Sequence, residues 1–471
     1  MEFLHSIVSA VNNVLWSYVL IFVLVGLGIW FTLRTGFIQV RMLPEMIRAL
    51  THRTTTDSQE ISPFQAFCVS TASRVGVGNI AGVAIAIVSG GPGAVFWMWL
   101  IAFFGCATGF VESTLAQIYK LPREGGLFHG GPAYYIQNAL GKPFIAKVFA
   151  FLISITFGLV YNSVQANTIV LSVNQAFGTN NLLTAGIICV LSAAVICGGA
   201  VRIAKIAGFL VPFMATLYLL AAFIVVLMNI SEVPAMFALI FHSAFSPDAA
   251  IGGGLGAVIL TGVKRGLFSN EAGEGSVPNA AATAKAQHPV QQGLIQSFGV
   301  YVDTWLVCSA TAFIVLLNGQ YTVGGDVTGI ALAQQSLAHA FGGWATNFLA
   351  VTIFLFAFSS IVGNYYYSEV NIAFFKGNFK RNIYVFRGLL FLMIIWGGVA
   401  ELSLIWDSAD LFMGLLSLTN LYAISLLGKN AYIALKDYAD KRRAGIKTPS
   451  FDASILPSTK GVYVWGTEKE N

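Results

Sequence analysis

The sequence predicts an all-α polytopic membrane protein with about eleven transmembrane helices, two of them broken. Three observations carry this reading. Of the 471 residues, 56% are hydrophobic and only 10% charged, whereas globular chains hold roughly 25% charged residues. Apolar runs of the length needed to cross a bilayer, about 20 residues, recur at 14–33, 63–90, 93–117, 145–173, 181–200, 206–229, 252–280, 292–317, 342–370, 382–400 and 405–432. Two of these runs, 63–90 and 252–280, carry amide, hydroxyl and ionisable residues among closely spaced glycines near their middle.

Taken in order, the first run is too long for the apolar part of a signal peptide. MEFLHSIVSAVNNVLW places no Lys or Arg ahead of it, so it is expected to remain as an extra N-terminal helix. The five cysteines fall within predicted spans without ligand spacing and read as small buried apolar residues. The histidines are scattered, so no metal centre is expected. TTTDSQE, LPREGGLFHGG and the tail from about 433 are the longest polar pieces, and the tail reads as too short and polar to hold a core. The chain therefore divides into an extra helix and loop at 1–60, five spans at 61–229, five more at 230–432 and a tail at 433–471. With no soluble domain, function must lie within the bilayer, and no Ser/His/Asp, Cys/His or metal constellation supports an enzyme.

Charge sets the expected orientation. Arg74, Lys264 and Arg265 lie within the two unusual runs, and every other Lys and Arg falls in or beside the odd-numbered connections or the tail, including Arg53, Lys120, Lys285, Lys376 and Lys469. Even-numbered connections such as FGTNN, SEVPAMFALIFHSAFSPDAA and NGQYTVGGDVTG contain none. Positive residues stay on the cytoplasmic side. The expectation is thus an N-terminus outside and a C-terminus in the cytoplasm. Spreading of the net +5 charge along loops also argues against a nucleic-acid partner.

The polar interruptions need a different explanation from the rest. STASRVGVGNIAG (70–82) and KRGLFSNEAGEGS (264–276) put charges and amides where the neighbours are apolar, and such groups usually face an internal cavity. Glycine weakens the helix there, and unwound backbone is tolerated in a membrane where protein or water satisfies it. Both runs therefore read as discontinuous helices. They lie five spans apart, as in a five-plus-five inverted repeat with its binding site at the midplane. A short echo accompanies them, Asn79-Ile80-Ala81-Gly82 against Asn270-Glu271-Ala272-Gly273.

Gly76-Val77-Gly78-Asn79-Ile80-Ala81 matches the dinucleotide pattern G-x-G-x-x-A, but that pattern requires a strand before it and a βαβ unit, and neither is present. The same backbone logic serves without a nucleotide: N–H groups at the start of a half-helix bind a carboxylate, while unwound carbonyls bind a small hard cation. A glycine kink for close helix packing is the competing reading.

ASRVGVGNIAGVAIAIVSGGPGAVFWMW, FVESTLAQIYK, FHGGPAYYI, VQANTI, GVKRGLFSNEAGEGS and FAFSSIVGNYYY together resemble the alanine or glycine:cation symporter family of prokaryotes, over essentially all of residues 14–435. The resemblance implies a LeuT-type fold, Na+-coupled import of a small neutral amino acid and residence in the inner membrane. It implies that the amides of Gly76, Val77 and Gly78 bind the amino-acid carboxylate and that Na+ is held by the carbonyls of Ala72 and Val75 with the hydroxyls of Ser359 and Ser360, for which helix-to-helix hydrogen bonding is the competing reading. Asn79 then serves either the cation or the break, Gln165 and Asn162 offer amides from one helical face, with a bundle-stabilising amide contact as the competing reading, and Phe268 forms an apolar wall. Many members carry tryptophan where this chain has Asn364, which points to a wider or more polar pocket that admits glutamine. A monomer is expected.

Arg74 is expected to pair with Glu112, Asp303 or Glu271, or to reach the cytoplasmic vestibule, as a gating charge rather than a substrate ligand. Lys264 and Arg265 carry the same ambiguity. Proton coupling through Glu112 or Asp303 and an ion channel lined by the breaks are the alternatives to Na+ symport.

Overall fold

The computed structural model describes residues 2–51, 60–123, 126–246, 254–319, 321–375 and 378–466. Arg53, Lys376, Lys469, most of TTTDSQE, the residues PDAA at 247–250 and the first two residues of the run expected at 252–280 lie outside the described residues.

The described chain is helical except for a two-stranded antiparallel hairpin, Leu121–Arg123 with Leu127–His129. Among the described residues, eight helices have the length and apolar character to cross a membrane: Ile7–Arg34, Ala94–Ile118, Pro143–Phe177, Val201–Met228, Pro289–Asn318, Trp344–Ile372, Phe379–Val399 and Leu402–Arg443. A ninth crossing is the broken pair Pro63–Arg74 and Gly78–Gly90, bent by 50°. The two remaining expected spans are shorter. One is the 16-residue helix Asn181–Ile196, and the other is the 17-residue helix Gly254–Asn270, which stops and resumes at Val277–Ala281.

Local sequence explains both interruptions. Pro63–Arg74 starts on a capping box, with Ser62 Oγ accepting from the Gln65 amide at 3.1 Å and Gln65 Oε1 accepting from the Ser62 amide at 2.9 Å. It ends where Val75 leaves helical geometry at φ −81°, ψ 88°, just before Gly76 and Gly78. The second break needs left-handed backbone at three positions, Glu271 (φ 56°), Gly273 (φ 100°) and Gly275 (φ 79°). Glycine accepts this conformation freely, but for glutamate it is uncommon.

The half-helices pack among long partners. Ala94–Ile118 lies against Gly254–Asn270 and Pro289–Val300, while Pro63–Arg74 lies against Gly199–Met228 and Trp344–Ile372; the latter also carries Asn162–Phe177 on its flank. Both breaks are thereby enclosed by protein, and residues 66–84 are buried throughout.

Several elements depart from expectation. The piece expected as a loop after residue 229 contains the helix Val233–Phe245, and Gly329–Phe341 forms another helix ahead of Trp344–Ile372. Cys197 is exposed just beyond Asn181–Ile196 and Cys189 is only half-buried, which overturns the reading of these two as buried residues. The last helix continues past residue 433 to Arg443. The polar tail then folds back: Phe451, Ala453 and Leu456 are buried, and Trp465 donates its indole N–H to the Gln117 carbonyl at 2.7 Å, with Lys120 Nζ 4.8 Å from the indole centroid. Isolated apolar side chains between polar residues are enough to seat a tail on a preformed surface, although they could not form a core alone.

Candidate functional site: the two interrupted helices

The first unwound segment is Val75–Val77. Its amides are directed at side-chain oxygens: Gly76 N–H donates to Asn79 Oδ1 at 2.8 Å, and Val77 N–H donates to Gln165 Oε1 at 3.2 Å. A Cβ on Gly76 would stand 3.1 Å from Gln165 Oε1 and 2.2 Å from Ser360 Oγ, so this glycine is required by close approach. Gly78 has the same relation to Phe268, whose ring would be 2.8 Å from an added Cβ. The Phe268 ring is set between Tyr161 and Trp406, each with its centroid 4.7 Å away.

A set of oxygens lies on the other flank of the same segment. Ser360 Oγ is 2.9 Å and Ser359 Oγ 3.4 Å from the Ala72 carbonyl, and the ψ of Val75 turns its carbonyl out of the helical ladder. Carbonyl and hydroxyl oxygens suit a hard cation. The structure thus brings Ala72, Gly76, Val77, Gly78, Gln165, Phe268, Ser359 and Ser360 together around one turn of unwound chain.

Asn162 and Asn364 belong to a neighbouring array. Asn364 Nδ2 donates to Asn162 Oδ1 at 3.0 Å, and Asn364 Oδ1 lies 2.6 Å from Ser73 Oγ. Asn79 spans the two breaks: besides capping Gly76, its Nδ2 lies 2.9 Å from Ser269 Oγ and 2.5 Å from Asp303 Oδ1. Asp303 Oδ2 accepts from Ser269 and Thr304, both at 2.8 Å. This fully buried carboxylate, ringed by oxygen-bearing groups, is a feature the motif reading missed as a ligand set. Its signal was present as a carboxylate inside an apolar run. The echoed asparagines also prove alike in role, since Asn270 Oδ1 accepts from the Ala272 amide at 3.0 Å, as Asn79 Oδ1 does from Gly76.

The three intramembrane cations find partners that sequence reasoning did not assign. Arg74 is 3% exposed, so it does not reach an open vestibule. It donates to Gln296 Oε1 at 2.9 Å, the Gln296 carbonyl at 3.2 Å and Ser70 Oγ at 3.3 Å. Among the described residues, no carboxylate oxygen lies within 4.0 Å of its guanidinium, which corrects the expected pairing with Glu112, Asp303 or Glu271. Those carboxylates have other donors; Glu112, for example, accepts from the Gly273 amide at 3.2 Å and Asn420 Nδ2 at 2.7 Å. Lys264 and Arg265 both pair with Asp410, Lys264 at 3.6 Å and Arg265 by a direct hydrogen bond. The Arg265 guanidinium also lies 4.6 Å from the Trp406 centroid. These residues form the wall of a cavity of about 760 Å³ that also reaches Ile85, Thr328 and Glu401.

Comparison with known proteins agrees with this architecture. The model of the sodium:alanine symporter family matches residues 1–453. The chain is 51% identical to the probable sodium/glutamine symporter GlnT of Bacillus subtilis, covering 98% of this chain and 96% of that one. It is 39% identical to the sodium/alanine symporter AgcS of Methanococcus maripaludis, covering 90% and 94%. Among solved structures, MhsT in complex with L-phenylalanine shares the fold with a TM-score of 0.59 at 14% identity, covering 82% of this chain and 98% of that one. The interrupted helices, the LeuT-type architecture and the match over nearly the whole chain lead to one conclusion: the chain belongs to the sodium:alanine symporter family, and it is a membrane transporter rather than an enzyme.

Proposed function

We propose that the protein imports a small neutral L-amino acid, alanine or glutamine foremost, together with Na+ by alternating access. One observation carries the reading. The unwound segment at Gly76 presents directed amides on one flank and a carbonyl–hydroxyl set on the other, so a carboxylate and a cation bind to the same few residues. The substrate carboxylate takes the Val77 amide in exchange for Gln165 Oε1, beside the amides of Gly76 and Gly78, and Gln165 turns to the amino acid. Phe268 limits the apolar side. Asn162 and Asn364 give the opposite side amide groups that match a glutamine side chain without adding charge, and this polarity is what favours glutamine alongside alanine.

Na+ binds the carbonyls of Ala72 and Val75 and the hydroxyls of Ser359 and Ser360, and Asp303 with the hydroxyls of Ser269 and Thr304 offers a second oxygen-rich position. A cation at the first position fixes the carbonyls of the unwound segment, and the amides of that segment are then already oriented for the carboxylate. Coupling is the difference in joint binding free energy between the two access states. The two five-helix units, 61–229 and 230–432, move against each other in a monomer whose C-terminus faces the cytoplasm. The first and seventh connections and the tail support that orientation because they meet at one end, through Arg48 with Lys447, Arg442 with Glu45 and Lys285 with Glu60.

Equilibrium binding of labelled L-alanine to the purified protein tests the assignment. Binding is expected to require Na+ and to be competed by glycine and L-glutamine. If excess glutamine leaves bound alanine unchanged, the role given to Asn364 is wrong.

A further inference from the structure

The two interrupted helices are joined at one end of the molecule. Ile61, the residue ahead of the Ser62 cap, forms a parallel bridge with Ala284, three residues beyond Val277–Ala281, and the Lys285 amide donates to the Ile61 carbonyl at 3.0 Å. Ile61 and residues 277–284 are buried, so the described conformation is closed there. The cavity at Lys264 and Trp406 instead reaches Thr328 and Glu401, in the eighth and tenth connections, away from the first and seventh connections that carry the bridge.

The bridge is held from outside by the end of Ala94–Ile118 and the residues after it. The Ala284 carbonyl accepts from Lys120 Nζ and from Gln117 Nε2, both at 3.0 Å, and Gln117 Nε2 also donates to the Ala281 carbonyl. Lys120 is 1% exposed, and a buried ammonium is costly without partners. Besides the Ala284 carbonyl, its partners among the described residues are two aromatic rings, Phe128 of the hairpin with its centroid at 4.1 Å and Trp465 of the tail at 4.8 Å. Such cation–π contacts strengthen as the charge is desolvated. Lys120 thus stands between the bridge it supports and the tail that covers it.

Separate contacts fix the tail in that place. The Trp465 indole N–H donates to the Gln117 carbonyl at 2.7 Å, and its ring meets Phe451 edge-on at 5.6 Å. Phe451 in turn meets the His288 ring at 5.0 Å, four residues past Ala284 in the seventh connection. A Cβ on Gly461 would stand 2.8 Å from the Asn138 backbone, so the tail backbone lies directly on the end of Pro132–Asn138. The tail therefore straddles the point where the two half-helices have to part.

We propose that Lys120 and Trp465 form a latch on the gate at this end of the transporter. Opening here takes the Ala284 carbonyl off Lys120 or Ile61 off Ala284. Lys120 opposes that movement while Trp465 keeps its ammonium out of water and pointed at the bridge. When the tail lifts, the ammonium hydrates and water replaces Ala284 as its partner. The tail thereby sets how often the carrier opens toward the tail's own side of the membrane. The inference rests on the transporter reading but not on which residues bind the amino acid or the cation.

Hydrogen exchange read by mass spectrometry tests this on the full chain in lipid nanodiscs, in K+ buffer without amino acid. Amides exchange through local opening and report the population of the open form. Trp465→Ala is expected to speed exchange in the peptides that hold Ile61 and Lys285 about tenfold, as loss of one hydrogen bond and one cation–π contact implies, with Phe379–Val399 unchanged. Lys120→Met keeps the aliphatic length and removes the charge, and it is expected to do the same. The double variant should add nothing to Lys120→Met alone, because the tail acts through Lys120. Tyr463→Ala, at a tail position 61% exposed, is expected to match wild type. Wild-type protection in Trp465→Ala, faster exchange that extends to Phe379–Val399, or additive effects in the double variant overturns the proposal.

Discussion

Substituting Gly76 by alanine tests the geometry of the cation position directly. The added methyl would lie 2.2 Å from Ser360 Oγ, and Gln165 Oε1 would be 3.1 Å away. Ser360 Oγ sits 2.9 Å from the Ala72 carbonyl and 3.1 Å from the Phe356 carbonyl, so it has to swing away from one flank of the proposed Na+ position. Overpacking of this kind costs about 2 kcal/mol. If that cost falls on the bound state, half-saturating Na+ rises roughly 30-fold. Sodium-dependent thermal stabilisation of the purified protein reads this without reference to the amino acid, because a ligand that binds the folded state raises its stability. Gly82→Ala is the control: its methyl would meet Trp406 at 3.5 Å, an ordinary contact, so the change should stay within about 0.5 kcal/mol. Wild-type Na+ dependence in Gly76→Ala, or an equal loss in Gly82→Ala, refutes the reasoning.

Three further outcomes follow from other parts of the molecule. Asp410→Asn removes the only carboxylate within 4.0 Å of both Lys264 and Arg265 among the described residues; breaking such a buried pair costs about 3 kcal/mol, seen as a lowered melting temperature. Gly299→Ala would put a methyl 2.3 Å from Arg74 Nη2; both it, by displacing the guanidinium from Gln296, and Arg74→Ala are expected to slow amino-acid exchange, while equilibrium alanine binding stays closer to wild type than in Gln165→Ala. Trp465→Ala loses the hydrogen bond to Gln117 and the contact with Lys120, together about 1 to 2 kcal/mol, and trypsin should then cleave at Lys460 faster than in wild type.

How much of this was legible beforehand differs between levels of organisation. The spans were readable because crossing a bilayer demands length and apolarity, which are local properties. The breaks were readable because Gly76, Gly78, Asn79, Glu271 and Gly273 violate those demands together. Pairing was not readable: Arg265 finds Asp410, and Arg74 finds Gln296, across many helical turns of sequence, and nothing in a single sequence orders the candidate partners. Arg74 also shows the limit of reasoning from charge, since a neutral amide and carbonyl take the place expected of a carboxylate. Val233–Phe245 escaped because 13 residues are too few for a crossing, so apolarity there was read as a loop. The docked tail escaped because Phe451, Leu456 and Trp465 look like isolated apolar residues until the surface at Gln117 and His288 is in view.

Coupling itself is tested most directly by measuring the fluxes of labelled amino acid and labelled sodium together in proteoliposomes with an inward Na+ gradient. Saturable, concentrative uptake of L-alanine or L-glutamine is predicted, with sodium entering in fixed proportion, and Ser360→Ala should require more Na+ for the same rate. Amino-acid accumulation that continues unchanged when K+ replaces Na+, or sodium entry independent of amino acid, would contradict the account.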